Sequence, residues 1–209
     1  MNAPKMLLGA VCLAAFGMIP GGASATIITF SGLTGANGSP FTTYTESGFT
    51  VNPTLGSWFQ GQLFGNPPPS IFAGPLLGGP STDAVTVTEG GQRFSFSEVD
   101  LATANANTNY TFSGTLLGAP VFTVNTTVLP PQVFNTVLSG VSADLIDSLV
   151  ITANIQAGGT STNIDNIVVN AVATPEPEAI ALLGTAILLL LPWVVRRGRQ
   201  HGPNRPEVA

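Results

Sequence analysis

Charge is what this sequence has least of. Only 8% of its 209 residues are charged, against about 25% in ordinary soluble domains. There is one cysteine and one histidine, and no lysine follows Lys5. Each scarcity excludes a class of function. Six basic residues in the whole chain cannot neutralise a run of phosphates, so the protein is no nucleic-acid binder. His201 follows the C-terminal arginines, so no Ser-His-Asp or Cys-His mechanism is available to what precedes them. Zinc sites lean on Cys and His, and a phosphate-binding loop ends in a Gly-Lys pair; the central part of the chain offers neither. Hydrophobic residues at 44% exclude wholesale disorder, despite 24 glycines and 17 prolines.

The few basic residues sit at the ends. Lys5 precedes an apolar run from Met6 to Ile19, and Ala23-Ser24-Ala25 follows. A basic start, a short apolar core and an A-x-A ending make a secretory signal peptide over residues 1–25, with cleavage expected after Ala25. Cys12 lies inside the apolar run and leaves with it, so the exported chain is built without disulfides. At the other end, residues 173–178 form a linker containing Pro175-Glu176-Pro177. The apolar run 179–195 follows, at the lower limit of a membrane-spanning helix. The tail 196–209 opens with Arg196, Arg197 and Arg199, which mark the cytoplasmic side and leave the preceding domain outside.

Pro175-Glu176-Pro177, the Leu-Leu-Gly at 182–184, the apolar run and the arginine cluster together resemble the PEP-CTERM sorting signal of exported proteins from biofilm-forming Gram-negative bacteria. The resemblance covers about residues 174–200. It implies an exosortase-type membrane enzyme as partner, acting near the Pro-Glu-Pro. It also implies a chain anchored in the membrane before processing, then held at the cell surface or released.

The exported domain, residues 26–172, reads as short alternating runs between Gly, Pro, Asn and Ser clusters. Thr26–Phe30, Gly48–Asn52, Ser57–Phe64, the Val85/Val87 pair, the Phe94/Phe96 alternation, Tyr110–Leu116, Phe122–Val124, Leu149–Ile155 and Ile167–Val169 are predicted strands. About ten short strands with abundant Thr, Val and Phe predict an antiparallel β-sandwich. The apolar phase changes between Phe96 and Val99, which predicts a β-bulge or a bend between the sheets there. Asn66-Pro67-Pro68-Pro69 cannot sit in a central strand. With Gly74-Pro75 and Gly78-Gly79-Pro80 it predicts a long surface loop, either a plain connection or a ligand-binding rim with Trp58, Phe59, Phe64 and Phe72. The stretches Glu46–Val51, Phe94–Leu101 and Ile164–Ile167 resemble the globular parts of other PEP-CTERM proteins. That resemblance implies an all-β, jelly-roll-like sandwich related to carbohydrate-binding modules.

Eight carboxylates and Arg93 remain in this domain, a net charge of −7. Calcium takes oxygen ligands and needs no histidine, so it is the one cofactor the composition allows; Glu46 and Asp165 are the nominated ligands. In an unbroken strand Asp165 shares the face of Ile167 and Val169. A lone carboxylate there needs a cation, a cluster of backbone amides or Arg93; if the strand begins after it, Asp165 caps a turn instead. Two carboxylates also suffice for glycoside hydrolysis, which makes Glu98 and Asp100 the candidates for that chemistry. The sequence thus favours a non-enzymatic surface or matrix protein, structural or adhesive among exopolysaccharide. A calcium-dependent carbohydrate-binding module using Trp58 and Phe59 is the alternative, and a glycosidase the third reading. Paired threonines such as Thr86 and Thr88 are explained by β-propensity alone.

Overall fold

A computed structural model describes residues 24–75 and 79–172. The sorting motif, the apolar run, the arginine tail and the signal peptide before Ser24 lie outside these residues. Among the described residues no helix is long and apolar enough to cross a membrane.

The domain is a sandwich of two antiparallel sheets built from twelve strands. In chain order these are β1 (Ser24–Ile28), β2 (Tyr44–Glu46), β3 (Phe49–Leu55), β4 (Trp58–Gly61), β5 (Ser70–Ala73) and β6 (Ser81–Thr88). Then come β7 (Phe94–Ala104), β8 (Thr108–Leu116), β9 (Ala119–Val128), β10 (Asn135–Leu138), β11 (Ser148–Ile155) and β12 (Ser161–Ala171). The first sheet runs β10-β7-β12-β5-β4, with β1 also paired to β12; the second runs β2-β3-β6-β11-β8-β9. Ser24 and Ala25 stand opposite Ala171 and Asn170, so cleavage after Ala25 leaves Thr26–Ile28 still paired.

Period-two patterning decides the core. In β11, Leu149, Ile151, Ala153 and Ile155 are buried while their neighbours are half-exposed, as side chains alternating across a sheet require. Phe49 meets Phe94 edge-on at 5.3 Å, and Phe96 packs on Phe112 at 5.3 Å, so aromatic contacts join the two sheets. Gly114 leaves room for this packing: a Cβ there would stand 2.4 Å from the Phe122 ring.

Of the bulge and the bend expected near Phe96–Val99, the bulge is what occurs. Val168 faces Glu98 but Val169 faces Phe96, so β7 carries an extra residue at Ser97. A second, unpredicted bulge lies in β12, between Asp165, which faces Asp100, and Val168. Asn166 takes a positive φ of 43° there, which an Asn tolerates better than most residues. The bulge restores phase, because Ile164, Ile167 and Val169 are all core residues. Asp165 is thereby turned to the outer face of the first sheet, not onto the face of Ile167 and Val169.

Three strands escape the sequence pattern: β2, β5 and β10, of three or four residues each. The correction at β5 matters most. The Pro-rich stretch is not one loop; Ser70–Ala73 forms a paired inner strand between β12 and β4.

Candidate functional site

The outer face of the first sheet gathers most of the unusual chemistry. Asp100 on β7 and Asp165 on β12 are directly opposite in the register, and both are buried. Two like charges side by side and shielded from water are costly, so their partners explain why they persist. The connection 62–69 lies over them. The Asn66 backbone N–H donates to Asp165 Oδ2 at 2.6 Å, and its side-chain amide donates to Asp100 Oδ2 at 3.0 Å. The Asn166 backbone N–H donates to Asp165 Oδ1 at 2.8 Å, and its side-chain amide donates to Asp100 Oδ2 at 2.9 Å and to the Asn66 carbonyl. Thr136 on β10 donates to Asp100 Oδ1 at 2.6 Å.

The stretch 129–134 is fastened to the same face. Gln132 donates to Asn163 at 3.0 Å, Asn163 donates to the Ser70 hydroxyl at 3.3 Å, and Ser70 donates to the Phe64 carbonyl at 2.6 Å. Phe64 and Phe134 stack at 4.9 Å and join the two coverings. The carboxylate pair is therefore a clasp that holds two proline-rich segments onto the sheet. Burial pushes the Asp165 carboxyl up to about 6, against the pull of the two backbone amides, with smaller upward pushes from Asp100 and Glu46. Of the protein groups expected to meet Asp165, the amide cluster does so, and Arg93 is exposed.

Glu46 has a separate task. It accepts bonds from Thr29 N at 2.8 Å, Thr29 Oγ1 at 2.8 Å and Phe30 N at 3.1 Å. Phe30 has a positive φ of 59°, so these bonds hold a backbone turn that few large side chains adopt. Glu46 and Asp165 are near enough to repel, yet the pair does not fit a cation. Calcium needs lone pairs converging on one point, and these oxygens face N–H and O–H donors instead. Among the described residues no three His, Cys, Asp or Glu side chains converge on a metal position.

The aromatic residues divide in two. Trp58 is not available to a ligand: it is 2% exposed, part of the core, and its indole N–H donates to the Leu55 carbonyl at 3.2 Å. Phe59, its neighbour on β4, points to the opposite face. It pairs across the strands with Phe72, which stands next to Asn163. The two rings lie 5.4 Å apart, tilted by 31°, and both are half-buried. Phe64, grouped with them from the sequence, belongs instead to the Phe134 stack. Glu98 is half-exposed on β7 and faces Leu138 and Val168 across the strands. Asp100 accepts from three donor groups, on Asn66, Thr136 and Asn166. The clasp residues Asn66, Asn166 and Thr136 carried no signal in the sequence, because Asn66 lies 34 residues from Asp100 and 99 from Asp165.

No family model matches the chain, and no curated protein matches it. Distant solved structures do. A family 29 carbohydrate-binding module from Piromyces equi is 10% identical over 74% of this chain and 94% of its own, with a TM-score of 0.41. The family 32 module of C. perfringens NanJ, solved with galactose, is 19% identical over 59% of this chain and 97% of its own, with a TM-score of 0.40. The enzymatically active domain of bacteriophage CBA120 tailspike protein 4 is 16% identical with a TM-score of 0.41, but this chain spans only 20% of its length. The two-sheet sandwich is established by the strand register itself.

Proposed function

We propose that the chain is an exported, non-enzymatic β-sandwich of the jelly-roll type that holds extracellular polysaccharide at the cell surface. In this reading its C-terminal tail is handled by an exosortase-type enzyme. The Phe59–Phe72 pair carries the binding half of the proposal. Two aromatic rings, fixed by cross-strand pairing and half-buried on the outer face of the first sheet, offer a platform for the C–H face of a sugar ring, and a polar group lies alongside. Gln132, exposed and tied to the buried Asn163 beside Phe72, supplies that group. The carboxylates take no part in binding, so binding needs no calcium. The Pro175-Glu176-Pro177 motif, the apolar run and the arginines support the sorting half.

Affinity electrophoresis in gels containing neutral polysaccharides tests the binding. The wild-type domain is expected to be retarded by at least one polymer. Removing an anchoring aromatic costs about 2 kcal/mol, so Phe59→Ala weakens retention about 30-fold, and adding Phe72→Ala weakens it further. Equal retention of the variant would overturn the assignment of this face. Fractionation of cells tests the sorting. Glu176→Ala is expected to stay with the membrane while the wild type is processed; normal processing of the variant removes the exosortase reading.

A further inference from the structure

A β-sandwich exposes the edges of its sheets, and soluble proteins guard such edges with short strands, charges, prolines or covering loops. Here the guards are uneven. The free side of β4 is covered by the chain at 38–41, through backbone bonds from Gly38 N to Gln60 O, Gln60 N to Ser39 O and Phe41 N to Trp58 O, each 2.8 Å. Strand β2 has three residues and ends in a carboxylate, Glu46. Strand β10 has four residues and follows Pro130-Pro131. Strand β9 is different. It is ten residues long, forms the end of its sheet, and pairs along one side only, with β8.

Nothing guards β9. No charged residue occurs from Leu101 to Ala143, and the only proline of the strand is Pro120 at its second position. Thr111 donates to Asn125 and Thr127 donates to Asn109, each at 2.8 Å, so the strand is braced against β8 over its regular part, Phe122 to Val128. Exposed apolar side chains cluster at both of its ends. Leu117 and Val121 stand at the start, 83% and 39% exposed, and Leu129 and Val133 just past the end, 59% and 58% exposed.

We propose that β9 is a self-association edge that pairs antiparallel with β9 of a second copy and joins two six-stranded sheets into one. Three observations select a second copy. First, two domains of net charge −7 repel unless they meet where neither carries charge, and β9 lies inside the longest such stretch. Second, an antiparallel pair about a two-fold axis near Val124 and Asn125 is self-complementary, the usual geometry of a closed dimer. Third, that axis brings the Leu117/Val121 end of one strand onto the Leu129/Val133 end of the other, so all four exposed apolar groups gain cover. The proposal does not depend on polysaccharide binding.

The test is sedimentation velocity of the exported domain, residues 26–172, which contains the whole core, over a wide concentration range. The wild type is expected to sediment as a dimer that dissociates on dilution. Asn125→Lys sets two like charges against each other at the axis, so the mass falls to that of a monomer while circular dichroism is unchanged. Thr45→Lys, on the opposite edge of the same sheet, leaves the dimer intact. A wild type that stays monomeric at all concentrations, or a folded Asn125→Lys that still dimerises, overturns the proposal. If Asn125→Lys misfolds, hydrogen exchange of the wild type decides. Outward β9 amides that become protected as concentration rises support the pairing. Amides that exchange freely while the mass is dimeric refute it.

Discussion

Replacing Asp165 by Asn is the sharpest probe of the clasp. Its carboxyl titrates near 6 in the folded domain instead of the ordinary 3.8, chiefly because it is buried, with Asp100 and Glu46 adding to the shift. A raised carboxylate pKa means that the folded state holds a proton which the unfolded chain gives up between about pH 4 and 6. The associated stability is therefore fully present below pH 3.8 and is lost as pH rises through 6. The shift corresponds to at most about 3 kcal/mol. A domain of this size moves by about 2–4 °C per kcal/mol, so the group contributes up to about 6–12 °C of pH-dependent Tm. Asparagine keeps the shape and one acceptor oxygen but cannot titrate. The assay is thermal unfolding of wild type and Asp165→Asn at pH 4, 5, 6 and 7. The advantage of the wild type over the variant should grow toward low pH by an amount of that order. A difference in Tm that stays constant from pH 4 to 7 would refute a buried, titrating Asp165.

Other outcomes follow from the same structure. Trp58→Ala removes a core side chain and should cost about 3–5 kcal/mol of stability, read from denaturant unfolding; a loss below 1 kcal/mol would mean that the indole is not packed as described. Chelator should leave the Tm unchanged, because Glu46 and Asp165 are bound by amides and hydroxyls; a fall in Tm reversed by added calcium contradicts that assignment. Glu89 has a buried oxygen, Oε2, with no hydrogen-bond partner, and burial raises its pKa. Glu89→Gln should therefore raise the Tm slightly at pH 7 and less at pH 4, by the sign rule that applies to Asp165.

How far the sequence could be read depended on the length of each pattern. Strand β11 is legible because four apolar residues alternate over its eight positions. Strands β2, β5 and β10 are not, because three or four residues are too few to display a period, and prolines flank β5 and precede β10. The phase change at Phe96–Val99 is visible and corresponds to the bulge at Ser97. The same kind of change at Ile164–Ile167 is also visible, but the strand can equally be read as starting after Asp165. That choice decides which way the carboxylate points. Trp58 and Phe59 are adjacent, so only one of them can face the core of a strand. Composition offers no way to choose, and the cross-strand register does, burying Trp58 with Ala73 and turning Phe59 with Phe72 to the other face, where both are half-buried. The clasp is illegible because it joins residues from four separate parts of the chain.

The central claim is that this acidic sandwich holds neutral polysaccharide through Phe59 and Phe72 without a metal. A glycan array probed with the exported domain, with and without chelator, tests it most directly. The account predicts binding to at least one neutral glycan, unchanged by chelator and lost in the Phe59→Ala, Phe72→Ala variant. Binding to no glycan, or binding that disappears with chelator, would contradict it.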